Sequence, residues 1–219
     1  MRVLRLGPGA VVAVFDGRGN EFVARVRHAT RDAVTATLVE RTAPAAESPV
    51  PFSLVQAVLK GSAMDDVVRD AVMMGASRIE PILSVHTAVK PTVAMRLDAV
   101  NRWRRIAIAS VKQCRRATLP KIAEARPFQE WLQTSDARLK LLFVEPSAAA
   151  NPRSLRTFIG RDAPESAALI VGPEGGWSTN EVEAAARAGC VPVTLGALTL
   201  RADAVALAAI SVFRFVWEA

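Results

Sequence analysis

The apolar positions of this chain follow two different rhythms. Up to residue 42 they alternate with polar ones, the period-2 pattern of half-buried strands. Val11-Val-Ala-Val-Phe15 and Glu21-Phe-Val-Ala-Arg-Val26 flank Asp16-Gly-Arg-Gly-Asn20, which predicts a hairpin. Ala33-Val-Thr-Ala-Thr-Leu-Val39 predicts a third strand by its β-branched content. Three or four such strands make a small barrel or sheet. Residues 43–51 hold three prolines and no apolar period, so they are expected to be a linker between domains 1–42 and 52–219.

Beyond the linker, short apolar runs alternate with helical periods. Strands are expected at 52–59, 78–83, 140–144, 167–171 and 191–195, and helices at 64–74, 128–133, 155–159 and 179–188. Five strands alternating with helices predict an α/β domain with a parallel sheet covered on both faces. A longer helix is expected over 95–116. A wheel puts Val100, Trp103, Ile106, Ala107, Ser110, Val111 and Cys114 on one side, which makes Cys114 a small core residue. Arg102, Arg104, Arg105, Lys112, Arg115 and Arg116 fall on the other. The last helix, 203–217, is apolar nearly all round and needs cover on two sides. The sheet can supply one and a second copy of the chain the other, so a homodimer is expected.

Composition narrows the class. The chain has 219 residues, of which 51% are hydrophobic, enough for a sizeable core. No apolar run approaches the length of a membrane span, and no signal-peptide core is visible at the N-terminus, which leads to an expectation of a cytoplasmic protein. Two cysteines and two histidines suit a reducing compartment and lead to no expected metal site. The formal net charge is +7. Residues 96–126 carry nine Lys/Arg against Asp98 and Glu124, a local excess of seven. A helix face with six cations and no acid points to a nucleic-acid backbone.

Candidate chemistry lies in two loops. Leu169-Ile-Val-Gly-Pro-Glu-Gly-Gly-Trp-Ser178 is an apolar strand that stops at glycine, followed by a capping box from Ser178 to Glu181 and a helix that Gly189 can end. Leu195-Gly-Ala-Leu-Thr-Leu-Arg201 repeats the strand-loop-helix order. Both loops belong on the carboxyl edge of the sheet, where open α/β sheets bind ligands. Gly-Pro-Glu-Gly-Gly matches neither G-x-G-x-x-G nor a P-loop, which disfavours a nucleotide-binding enzyme.

Together with Lys60-Gly-Ser-Ala-Met-Asp65 and Lys112-Gln-Cys114, these loops resemble the RsmE family of 16S ribosomal RNA uracil-N3 methyltransferases, members of the SPOUT superfamily. The resemblance runs from about residue 2 to residue 217. It implies an N-terminal PUA-like RNA-binding β-barrel and a C-terminal methyltransferase domain with a trefoil knot, acting as a homodimer with S-adenosyl-L-methionine on the 16S RNA of the 30S subunit. The cofactor would be held by Gly172, Pro173, Glu174, Gly175 and Gly176, by Leu195, Gly196, Leu198 and Leu200, and by Val144, Glu145 and Pro146. Arg2, Arg5 and Arg25 would contact RNA from the barrel, although a solvated face accounts for them on the residue pattern alone.

Uracil N3 becomes a nucleophile as its proton leaves, so charge developing on the base must be stabilised. Arg201 is the candidate for that role, with Asp203 for positioning or proton removal. A helix first-turn acid accounts equally well for Asp203, and service to the fold for Glu174. The family usually reads Leu-Gly-x-Arg-Ile-Leu-Arg-Thr-Glu-Thr-Ala where this chain has Leu-Gly-Ala-Leu-Thr-Leu-Arg-Ala-Asp-Ala-Val205. The chain also starts late relative to the family, so either the barrel lacks its first strand or the start is set too late. A non-catalytic RNA-binding dimer and a SPOUT methyltransferase acting on another RNA base remain open.

Overall fold

The computed structural model describes residues 7–30, 33–147 and 151–217. The chain divides into two compact units: Met1–Glu47 with Val111–Leu119, and Ser48–Ser110 with Pro120–Ala219.

In the first unit, β1 (Val11–Phe15), β2 (Glu21–Ala29) and β3 (Val34–Thr42) pair antiparallel in that order. The hairpin turn between β1 and β2 is held by Asp16. Its carboxylate accepts the Asn20 side-chain amide at 2.6 Å and the Arg18 N–H at 2.7 Å. These bonds, Asn20 first, hold the Asp16 carboxyl below its usual value. The segment Val111–Leu119, expected above to belong with the second domain, joins this turn: Leu119 N–H donates to Gly17 O at 2.9 Å and Gly19 N–H to Ala117 O at 3.1 Å.

The second unit is built on β4 (Phe52–Ala57), α1 (Ala63–Met73), β5 (Arg78–Leu83), α2 (Pro91–Ala94) and α3 (Leu97–Cys114), whose last turn counts with the first unit. Then come β6 (Lys121–Ile122), β7 (Arg126–Pro127), α4 (Phe128–Thr134), β8 (Leu139–Phe143) and β9 (Arg153–Ser154). A 3-10 turn at Leu155–Phe158, β10 (Ala167–Val171), α5 (Thr179–Arg187), β11 (Val191–Thr194) and α6 (Ala202–Trp217) complete it. The sheet order is β6-β5-β4-β10-β8-β11-β9, with β7 also on β5, and every pairing is parallel.

Each residue of β10 is buried, as a strand covered on both faces requires. From β10 the chain passes beyond β8 to β11, and then returns in α6 to pack against α1 and β10. This outward and return path lies at the end of the domain where the resemblance places its knot. Phe213 of α6 anchors the return against Phe52, ring centroids 5.0 Å apart. Phe128, Trp131 and Ala185 fill the other face with Ile170 and Leu142.

Several expectations need correction. The helix expected over 95–116 is α3, which starts at Leu97 after the separate short α2, and it stops at Cys114, where Arg115 takes a positive φ of 61°. Past that turn Arg116 points inward. It is only 6% exposed and grips Glu47 with two bonds of 3.1 and 2.5 Å, so it is a buried structural ion pair and not an RNA contact. Arg102 is likewise not an unpaired cation: it is bonded to Asp65 in the first turn of α1. The helix expected over 155–159 is the single 3-10 turn, capped by the Ser154 hydroxyl. On α6 the inward residues include Ala206, Ile210 and Phe213, while Leu207 and Phe215 stand 43% and 70% exposed. Among the described residues no helix is long and apolar enough to cross a membrane.

Cys190 shows how dry the core is. Burial pushes its thiol from 9.0 up to about 11, against a smaller pull from Lys140. The folded protein therefore keeps Cys190 protonated at pH 8. Iodoacetamide treatment followed by mass spectrometry is expected to leave Cys190 unmodified in the native protein and to modify it in urea. Rapid native labelling would contradict this packing.

Candidate active site

The carboxyl ends of β4, β8, β10 and β11 surround a cavity of about 470 Å³. The strand order explains the site. After β5 and its neighbours the chain crosses to β8 and returns to insert β10 between β8 and β4, which makes a crevice at that edge.

The structure brings most of the sequence candidates to this cavity. Val144, Glu145 and Pro146 line it from β8, the loop 172–176 from β10, and Leu195, Leu198, Leu200, Arg201 and Asp203 from the last loop and α6. Gly196 is not on the lining; with φ at 130° and its carbonyl accepting from Thr194 Oγ1 at 3.1 Å, it shapes the loop instead. The sequence reading missed Leu59, Ala63, Trp177 and Thr199. Trp177 stood beside a motif and had a signal. Ala63 stood within the Lys60–Asp65 motif and Leu59 just before it, but nothing in a sequence says that β4 lies next to β10, so neither was assigned to the cavity.

The Gly172–Gly176 loop is held at several points from outside. Trp177 Nε1 donates to Phe143 O at 2.9 Å, and its indole lies so close to Gly172 that a Cβ there would come within 2.9 Å of the ring. A Cβ on Gly175 would meet His86 Cβ at 2.9 Å and His86 O at 3.3 Å. The loop turns at Gly176, where φ is 68°, and Gly176 O contacts His86 Nδ1 at 3.2 Å. A carbonyl only accepts, so Nδ1 carries the proton in this contact. Glu174 Oε1 accepts the Lys60 N–H at 3.0 Å, fastening the loop to the end of β4. Behind it Ser178 and Glu181 form the expected capping box, and the buried Glu181 carboxylate also accepts Val85 N–H at 2.9 Å.

Arg201 and Asp203 face each other across the start of α6. Nε reaches Oδ1 and Nη2 reaches Oδ2, each at 3.2 Å, a bidentate pair. Arg201 is 83% exposed at its side chain, so water screens the pair and it is weak enough to be exchanged for another anion. Leu198, 78% exposed, leaves an apolar wall uncovered at the cavity. Of the basic candidates, Arg104, Arg105 and Lys112 are exposed on α3, and Arg115 is exposed just past it. Arg25 is exposed on β2 and donates to Gly9 O at 3.2 Å. Arg2 and Arg5 lie outside the described residues.

Comparison with known proteins agrees with this architecture. A model of the RNA methyltransferase domain matches residues 46–214, and one of the RNA methyltransferase PUA domain matches residues 1–39. A relative from Synechocystis named ribosomal RNA small subunit methyltransferase E is 33% identical over 92% of this chain, which spans 64% of that relative's length. The protein of that name from Bacillus subtilis is 24% identical over 100% of this chain and 86% of its own. A solved ribosomal RNA small subunit methyltransferase E from Neisseria gonorrhoeae, bound to S-adenosyl methionine, superposes with a TM-score of 0.86 at 27% identity, covering 99% of this chain and 87% of that one. This chain therefore belongs to the RNA methyltransferase family, among relatives named ribosomal RNA small subunit methyltransferase E.

Proposed function

We propose that this protein methylates N3 of a uridine in 16S ribosomal RNA, using S-adenosyl-L-methionine, on the small subunit in the cytoplasm. The observation that carries the reading is the carboxyl-edge cavity, bounded by the Gly172–Gly176 and Leu195–Arg201 loops. Its chemistry suits that cofactor. Leu195, Leu198 and Leu200 would offer apolar walls to an adenine ring, and the carboxylates of Glu145, Glu174 and Asp203 on the lining would suit the positive charges of a sulfonium and an ammonium. The backbone amides and carbonyls of the glycine loop would read the edge of a base. When bound, the cofactor supplies an electrophilic methyl group on sulfur.

The residues of the chain do the rest. Arg201 is placed to stabilise negative charge that grows on the uracil as the N3 proton leaves. Asp203 orients the guanidinium through its two bonds, and its carboxylate offers an acceptor for that proton. With the methyl group supplied from sulfur, which would leave as a neutral thioether, Asp203 would take the N3 proton and pass it to water. Arg104 and Arg105 would meet RNA phosphates, as would Lys112, which their exposure supports, while Arg102 pairs with Asp65 and Arg116 with Glu47.

Purified protein is expected to transfer methyl groups to 30S subunits and yield 3-methyluridine on nucleoside analysis. R201A should lower kcat by about 100- to 1000-fold with little change in the KM for the cofactor. Equal losses in kcat and cofactor binding would move Arg201 into the binding machinery. Cofactor binding without transfer to any RNA would leave a non-catalytic scaffold.

The homodimer belongs to the same proposal. Leu207 and Phe215 are apolar, exposed and on one helix, and a second α6 would cover them. Light scattering at micromolar concentration should give twice the chain mass, falling to the chain mass for F215E. A wild-type monomer would refute this assembly.

A further inference from the structure

Among the described residues of the second unit, Gln56, Trp131 and Trp217 each bury a side-chain polar atom without a hydrogen-bond partner, and of these Gln56 is the one in β4 beside the glycine loop. It sits in β4 among Phe52, Leu54, Val55 and Ala57, is 0% exposed, and its Oε1 has no hydrogen-bond partner among the described residues. A buried primary amide with an orphaned acceptor is costly, and a leucine or methionine would fill the same space without that cost. Its Nε2 donates twice, to Ala57 O at 3.0 Å and to Gly172 O at 3.3 Å. Both partners are carbonyls, which only accept, so the nitrogen end of the amide is fixed there.

The register explains why two carbonyls need a donor at this point. Along the β10–β4 ladder Ala167 N–H donates to Pro51 O at 3.1 Å, and Val171 pairs with Gln56. Donors recur every second residue in a parallel ladder, so residue 173 is the one that would serve Ala57 O. Residue 173 is proline, which has no N–H. The peptide that lacks this donor is the one between Gly172 and Pro173, so it has only its carbonyl to be held by.

We infer that Gln56 is a positioning residue whose carboxamide stands in for the N–H that Pro173 lacks, fixing the first peptide of the loop that holds the cofactor. One face of Gly172 is closed by the Trp177 indole, and its carbonyl is held by Gln56. The ladder thus ends cleanly although a proline occupies its last donor position. The loop keeps the stiffness of Pro173, and its backbone is presented in one orientation. This inference rests on the cavity being a cofactor site.

Calorimetric titration of S-adenosylmethionine into wild-type protein and Q56M tests it, with thermal melts alongside. The expected result is a Kd at least tenfold weaker for folded Q56M. Restoring the amide should remove the need for Gln56: in the P173A background, adding Q56M should change Kd by less than about threefold. An unchanged Kd for folded Q56M, with wild-type protein binding, would overturn the positioning role and leave the proposed function standing. No binding by folded wild-type protein would overturn both. Should Q56M fail to fold, the Q56M/P173A double variant is expected to regain a cooperative melt, and continued failure would overturn the inference.

Discussion

The site depends on one constraint: β10 is a short, wholly buried strand pinned by parallel ladders to β4 on one side and β8 on the other. Everything that follows β10 in the chain starts from that fixed edge. The glycine loop leaves it at Gly172, and the bonds that hold the loop come from elsewhere: Phe143 at the end of β8, Lys60 and Gln56 from β4, and His86 after β5. A loop held this way keeps its backbone groups aimed with one side chain of its own, that of Glu174, so three of its five residues can be glycine. Preorganisation of this kind reduces the ordering cost of binding.

Charge is used in two distinct ways. Arg116 with Glu47 and Arg126 with Glu80 are part-buried pairs inside the fold, where loss of one partner would strand the other. Arg104, Arg105 and Lys112 stand in solvent. Arg201 lies between these cases, exposed yet oriented by Asp203. Such a group can respond to charge appearing nearby, which suits a stabiliser of developing negative charge better than a fixed core pair would.

How much of this was legible in the sequence depends on distance along the chain. The capping box at Ser178 and Glu181 and the hairpin at Asp16 are settled within a few residues, and so could be read directly. The two loops around the cavity announced themselves through glycine and proline. The partner of Arg116 lies 69 positions away and that of Arg102 lies 37 away, and no periodicity can report such a pairing. The wheel put both on a solvent face for that reason. The two-residue strands β6, β7 and β9 are too short to leave a pattern. Gln56 looked like any strand residue, because its meaning depends on a proline 117 positions later that only the sheet order brings beside it.

The central claim is that the cavity at the end of β10 is a cofactor site built from held backbone. Titration of the purified, folded protein with S-adenosylmethionine tests it most directly. The account predicts saturable binding at one site per chain, lost when valine at Gly175 is driven against His86. Folded protein that takes up no cofactor, or a G175V variant that binds as well as the wild type, would contradict it.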